Sequence, residues 1–235
     1  MNTLKKTPII QENLKKVPLF KELSDDEIDH IANISSARVY NARSFVFMQD
    51  EPLDRVFFIE SGKVKIYKTD IHGKEQIVSV LESGEMFPHA GFFRGGLNPA
   101  NAEIMQKSRL ICVPIHSFEQ ILVNQPELCV KLFRVLGSKI IDLQDRLEEQ
   151  ILHNTFEQVI MLLIRLTRTN GQPYGNDDFK LTSTFTNQEL ANMIGTSRET
   201  VSRTLTQLRK KDVLKVSEEG CFIINQEKLE EEMIL

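Results

Sequence analysis

The chain reads as α+β: a run of short antiparallel strands, then one long helix, then a helical unit closed by a small hairpin. Three observations carry this expectation. Between Arg38 and Ile115 short apolar runs alternate with turn signals. After Pro126 apolar residues recur every three or four positions to about Leu152. From Thr186 to Lys211, TNQELANMIGTSRETVSRTLTQLRKK carries the start, stop and restart signals of two short helices around a tight turn.

Bulk properties bound the function. A length of 235 residues with 41% apolar content allows one large or two modest packed domains. The net charge of -4 excludes a general polycation, so any nucleic-acid surface must be local. Lys180 to Lys215 holds seven Lys or Arg against three acidic residues, whereas Val216 to the end holds six Glu against one Lys. Cys112, Cys129 and Cys221 are odd in number and far apart, which suits neither a disulfide framework nor a metal cluster. There is no 18-residue apolar run and the start MNTLKKTPIIQENLKK lacks a signal-peptide core. The expectation is a cytoplasmic protein without a membrane partner.

Residues 19–36 predict a helix, with Ser24 as N-cap and Glu27 completing a capping box. The strand-like runs are SFVFM, RVFFIE, KVKIYKT, QIVSVLE, AEIMQ and RLICVPI. Turns are expected at Asp50-Glu51-Pro52, Ser61-Gly62, His72-Gly73, Ser83-Gly84 and Gly95-Gly96, which together predict a sandwich or barrel. In the long helix Leu132, Leu136, Ile140, Leu143, Leu147 and Ile151 form a stripe suited to a dimer seam. A second helix is expected over Thr155–Thr167, followed by the surface loop TRTNGQPYGNDDF.

Within the Thr186–Lys211 segment, Thr186 and Glu189 form a capping box, Gly195 supplies the turn and Ser197 caps the second helix. Val201, Leu205 and Leu208 face inward, leaving Arg198, Glu199, Ser202 and Arg203 on the outer face of the first two turns. That is the end a recognition helix presents to the major groove of double-stranded DNA. There arginine can bond guanine, and glutamate can accept from the cytosine amino group. Thr184, Thr186, Ser197, Thr200, Arg209 and Lys210 are the candidate phosphate contacts. VLKVSEEGCFIIN then predicts a β-hairpin wing, its acidic tip turned away from phosphate or used in packing.

These residues resemble the Crp/Fnr family of bacterial transcriptional regulators, most specifically in TNQELANMIGTSRETVSRTLTQLRKK and also in VFFIESGKVKIYKTDIHGKEQIVSVLESGEMF. The resemblance covers nearly the whole chain. It implies a cyclic-nucleotide-binding-like β-roll with an N-terminal helix over 1–124, a dimerisation helix over 125–153 and a winged helix-turn-helix over 154–235. It further implies a homodimer on palindromic DNA, activating through RNA polymerase. Glu199, Ser202 and Arg203 are similar to the anaerobic regulators' pattern, which favours a TTGAT-like half-site over TGTGA.

The sensor departs from the family. Where cyclic-AMP binders place a ribose-binding glutamate and an Arg-Ser pair for the phosphate, this chain has His89 and, near the pair, Pro99 and Ala100. An anionic phosphate needs charge-assisted donors, so cyclic AMP is not expected as the effector. Residues 1–111 contain no cysteine, which argues against an N-terminal iron–sulfur cluster. His89 and His30 are isolated, a weak basis for haem, and Cys112 reads as a buried small hydrophobe. His89, Phe92, Phe93 and Arg94 are the possible effector pocket, with packed loop as the plainer reading. No cofactor is identified and the effector is unknown. The competing classes are an interaction module whose helix pair only packs, a constitutive regulator, and an enzyme, for which no nucleophile set or phosphate loop stands out.

Overall fold

A computed structural model describes residues 7–21, 23–89, 96–175 and 177–233. The chain divides into two compact units, Met1–Ile140 and Ile141–Leu235.

In the first unit, α1 (Thr7–Leu14) and a 3-10 turn at Pro18–Phe20 precede α2 (Asp25–Ile34). The capping box is present. The Ser24 N–H donates to the Glu27 carboxylate at 2.7 Å, and the Glu27 N–H donates to the Ser24 hydroxyl at 3.4 Å. The helix expected over 19–36 is shorter because Leu19 and Phe20 belong to the preceding 3-10 turn and Ser36 already belongs to a strand.

Six strands follow: β1 (Ser36–Tyr40), β2 (Phe45–Phe47), β3 (Arg55–Thr69), β4 (Glu75–Leu81), β5 (Met86–Phe87) and β6 (Asn101–Pro114). Their pairing is antiparallel in the order β1-β6-β3-β4, with β2 on β6 and β5 on β3. One expected turn, Ser61-Gly62, is not a turn, and two runs expected as separate strands are one. RVFFIE and KVKIYKT are one strand running through Gly62, and AEIMQ and RLICVPI are one strand, β6, with the register shifting where the two cross. Gly62 has φ 101°, and a Cβ there would sit 2.0 Å from the Ser108 hydroxyl. Glycine therefore serves close strand approach here, where a reversal was expected. His72-Gly73 and Ser83-Gly84 do reverse the chain, with φ 78° and 91° at the glycines. Gly95 of the last expected turn lies outside the described residues.

Alternation along β3 and β6 gives the sheet two apolar faces. Phe47, Phe57, Ile59, Phe87, Leu110 and Cys112 fill the inside of the roll, and the Phe57 and Phe87 rings stack at 5.2 Å. Phe58, Ile111 and Val113 face the helices and meet Phe20 and Phe118, the latter on α3 (Ile115–Asn124).

The long helix α4 spans Pro126–Leu152. Its apolar residues serve two purposes, which corrects the expected seam. Leu132 is 1% exposed and, with Leu128, belongs to the core of the first unit, and Leu136 packs against that core. Ile140, Leu143, Leu147 and Ile151 are exposed, as are Val130, Phe133 and Ile141.

In the second unit α5 (Thr155–Asn170) is capped by Asn154 and runs one turn beyond the expected end. The expected loop after it contains β7 (Gly171–Pro173) and the start of β8 (Asp178–Leu181). These join the expected wing, β9 (Leu214–Val216) and β10 (Phe222–Asn225), in a four-stranded sheet ordered β7-β8-β10-β9. Val159, Leu163, Leu190, Val201, Leu205, Leu208 and Ile224 are buried in this unit.

Candidate nucleic-acid interface and sensor

Two helices of the second unit position the candidate interface: α6 (Asn187–Ile194) and α7 (Arg198–Lys210). The Thr186 hydroxyl accepts from the Glu189 N–H at 3.1 Å, and the Glu189 carboxylate accepts from the Thr186 N–H at 2.8 Å. Gly195 ends α6 with φ 73°, a conformation that costs a residue with a Cβ. Ser197 then caps α7, accepting from the Thr200 N–H at 3.1 Å. Leu190, Ala191 and Ile194 of α6 and Val201, Leu205 and Leu208 of α7 are buried, so the helix pair is fixed by its inner faces.

The outer face of α7 carries a shallow groove lined by Arg198, Glu199, Ser202, Arg203, Thr206, Gln207 and Lys210. All four expected base-reading residues are therefore on one surface. Thr206 and Gln207 were missed, although both follow Ser202 and Arg203 by one helical turn and the spacing alone marks them. The Thr206 hydroxyl donates to the Ser202 carbonyl at 2.8 Å.

The candidate phosphate contacts differ in what they have left to offer. Thr186 commits its hydroxyl, donating to Glu189 at 2.9 Å while accepting from the N–H. Ser197 and Thr200 share a 2.9 Å hydroxyl pair, which leaves one of the two free to donate outward. Thr184 is exposed, and Arg209 and Lys210 stand exposed in the last turn of α7, where cations also favour the helix dipole. The wing-tip carboxylate of Glu219 is held by Lys180 at 2.6 Å and its pKa is lowered by that bond.

Of the expected effector pocket, only His89 is among the described residues, in the first unit. His89 follows β5, and its pKa is lowered to about 4, by burial first and then by the Lys139 charge. Lys139 of α4 pairs with Glu85 at 3.0 Å. Neutral His89 can accept or donate one hydrogen bond and brings no charge to an anion. Phe92, Phe93 and Arg94, the rest of the expected pocket, lie outside the described residues. Cys112 is 1% exposed, and burial pushes its thiol pKa up. Among the described residues no helix is long and apolar enough to cross a membrane, and no group of His, Cys, Asp and Glu is arranged to hold a metal.

Comparison with known proteins matches residues 37–125 to the family described as the cyclic nucleotide-binding domain and residues 157–232 to the Crp-like helix-turn-helix domain. The chain is similar to the CRP-like cAMP-activated global transcriptional regulator of Mycobacterium tuberculosis. The two are 26% identical over 184 residues, which is 78% of this chain and 82% of that protein. It is also similar to the transcriptional activator protein Anr of Pseudomonas protegens, 23% identical over 211 residues, 89% of this chain and 84% of that protein. Among solved structures a CooA mutant from Carboxydothermus hydrogenoformans aligns with a TM-score of 0.74 at 21% identity. That alignment covers 94% of this chain and 95% of the other, and it speaks to the fold.

Proposed function

We propose, given that this chain belongs to the Crp/Fnr family of DNA-binding transcriptional regulators, that it binds as a homodimer to an inverted repeat of TTGAT-like half-sites and activates transcription. The observation that carries the reading is the single outer face of α7 holding Arg198, Glu199, Ser202 and Arg203 over a buried apolar side. In this reading Arg203 and Arg198 bond base acceptors, Glu199 accepts from a cytosine amino group and Ser202 pairs more permissively. Thr184, Thr200 or Ser197, Arg209 and Lys210 position the helix on phosphates, and Thr186 acts mainly as a cap.

The dimer is supported by the exposed stripe of α4. Phe133, Ile140 and Leu147 lie seven residues apart and are 62%, 57% and 61% exposed. Such a stripe on one helix fits a seam with its twin, and two half-sites need two recognition helices. We keep the functional division at 1–124, 125–153 and 154–235; the compact-unit boundary inside α4 suits a helix that serves both ends. The activator role follows the similar transcriptional activator protein Anr, with RNA polymerase contact as its route.

For the effector, a cyclic nucleotide fits poorly. The Phe47, Phe57 and Phe87 rings occupy the inside of the roll, and Pro99 and Ala100 bring no side-chain donor for a phosphate. The test is an Arg203→Ala comparison on cognate and scrambled duplexes. The expected loss is about 1–3 kcal/mol on the cognate duplex alone. Equal losses on both would remove Arg203 from base reading.

A further inference from the structure

The end of α4, residues 141–152, belongs to the second unit, yet none of its apolar side chains is buried there. Ile141, Leu143, Leu147, Ile151 and Leu152 are 54–70% exposed. The opposite face meets the unit. Glu149 stands two positions, roughly 200° of helical turn, from both Leu147 and Ile151. Its carboxylate oxygens accept from Arg165 of α5 at 2.9 and 2.7 Å, with both side chains largely buried.

Two glutamines complete this junction. Gln158 of α5 is 9% exposed, and its Nε2 donates to the His153 carbonyl at 2.9 Å and the Glu149 carbonyl at 3.4 Å. A helix end leaves carbonyls without an intrahelical donor, and Gln158 supplies one to the end of α4. Its orientation is fixed, because a flip would set its oxygen against two carbonyls. Gln150 of α4 reaches the other way. Its Nε2 donates to the Ile194 carbonyl at 2.7 Å and to Gln158 Oε1 at 3.4 Å. Ile194 is the last residue of α6, directly before Gly195, so this bond closes α6 at the turn that leads into α7. Each amide caps the C-terminal end of a helix to which it does not belong.

The chemistry of the junction matters for geometry. Apolar contact is non-directional, whereas a hydrogen bond weakens steeply as its partners turn out of line. A junction built from hydrogen bonds and an ion pair therefore specifies one angle between the end of α4 and the helix pair. The exposed face of these same turns carries Leu143, Leu147 and Ile151 of the proposed seam.

We propose that Gln158 is a positioning residue for DNA reading. Through Gln150 and the end of α6 it fixes the direction of α7 relative to the seam, and with it the half-site spacing that the dimer accepts. The proposal rests on the dimeric DNA-reading function and adds a determinant of spacing that is buried away from the outer face of α7.

The experiment measures binding of the full chain to inverted repeats of the half-site the parent selects. The duplexes carry the preferred spacing and spacings one base pair longer and shorter, each step moving a half-site by about 3.4 Å and about 35°. The parent favours one spacing by about tenfold or more. Gln158→Met keeps the length and apolar stem without the donor, and narrows that preference to about threefold or less. Its discrimination against substituted bases within the half-site stays that of the parent. Gln150→Met, at an exposed residue, folds with unchanged melting and narrows the preference in the same direction. If the variants lose affinity equally at every spacing, the glutamines are merely structural and the proposal is overturned; an unchanged spacing ratio at full affinity overturns it too. A parent with no preferred spacing removes the dimeric reading itself and the proposal with it, a failure visible before any substitution is made.

Discussion

In the C-terminal unit the side chains named for DNA reading stand on the outer face of α7, held by caps and a buried apolar side. In the N-terminal unit the side chains facing the inside of the roll are apolar, three phenylalanines among aliphatic residues, and polar groups gather at one end. The two regions build sites in opposite ways. The first is local: neighbours along one helix converge because the helix has a period of 3.6. The second, the polar end of the roll, draws its side chains from β1, β3, the loop at Asp50–Asp54 and Asn98, which only strand register brings together. A local site changes specificity by exchanging surface residues, whereas an interior site must be repacked to change.

The largest test of this contrast is Phe87→Ala. Phe87 is 1% exposed within the aromatic interior, so its loss costs about 3–5 kcal/mol and lowers the melting of the first unit. Little change in melting would mean that the roll is not held by its aromatic filling. Next comes the exposed stripe: Ile140→Glu with Leu147→Glu places like charges in the proposed seam. Sedimentation is expected to show monomer where the parent is a dimer; an unchanged dimer would move the seam elsewhere.

A pH effect follows from His89. Burial holds the folded histidine at about 4 against an ordinary 6.5, so the unfolded chain takes up its proton first as pH falls. The stability given by neutral His89 is complete above about 6.5 and is lost as the pH falls towards 4. His89→Gln is expected to flatten melting temperature against pH across that window, and an unaltered slope would place the effect in other groups. The smallest change is Thr186→Ala, which removes one cap of α6 for about 1 kcal/mol. Urea unfolding of the second unit measures it, and a loss confined to DNA affinity would make Thr186 a phosphate contact after all.

The same contrast explains what was legible in the sequence. Thr186, Glu189, Gly195 and Ser197 act within a few residues of themselves, so capping and turn geometry were readable directly. The recognition face followed from helical spacing, although Thr206 and Gln207 were overlooked on it. Gly62 was misread because close approach to Ser108, 46 positions away, leaves the same glycine signal as a turn. Leu132 was misread because one apolar stripe served both an intramolecular core and an exposed face, and periodicity does not separate the two. The hairpin after α5 was hidden in a segment rich in turn formers, its pairing supplied by the wing.

The central claim is that the outer face of α7 reads a TTGAT-like inverted repeat as part of a dimer. Selection of bound duplexes from a random pool by the full chain tests it most directly. The account predicts enrichment of TTGAT paired with its inverted copy about one helical turn away, centre to centre. Enrichment of TGTGA half-sites, of a single unpaired site, or of no sequence would contradict it.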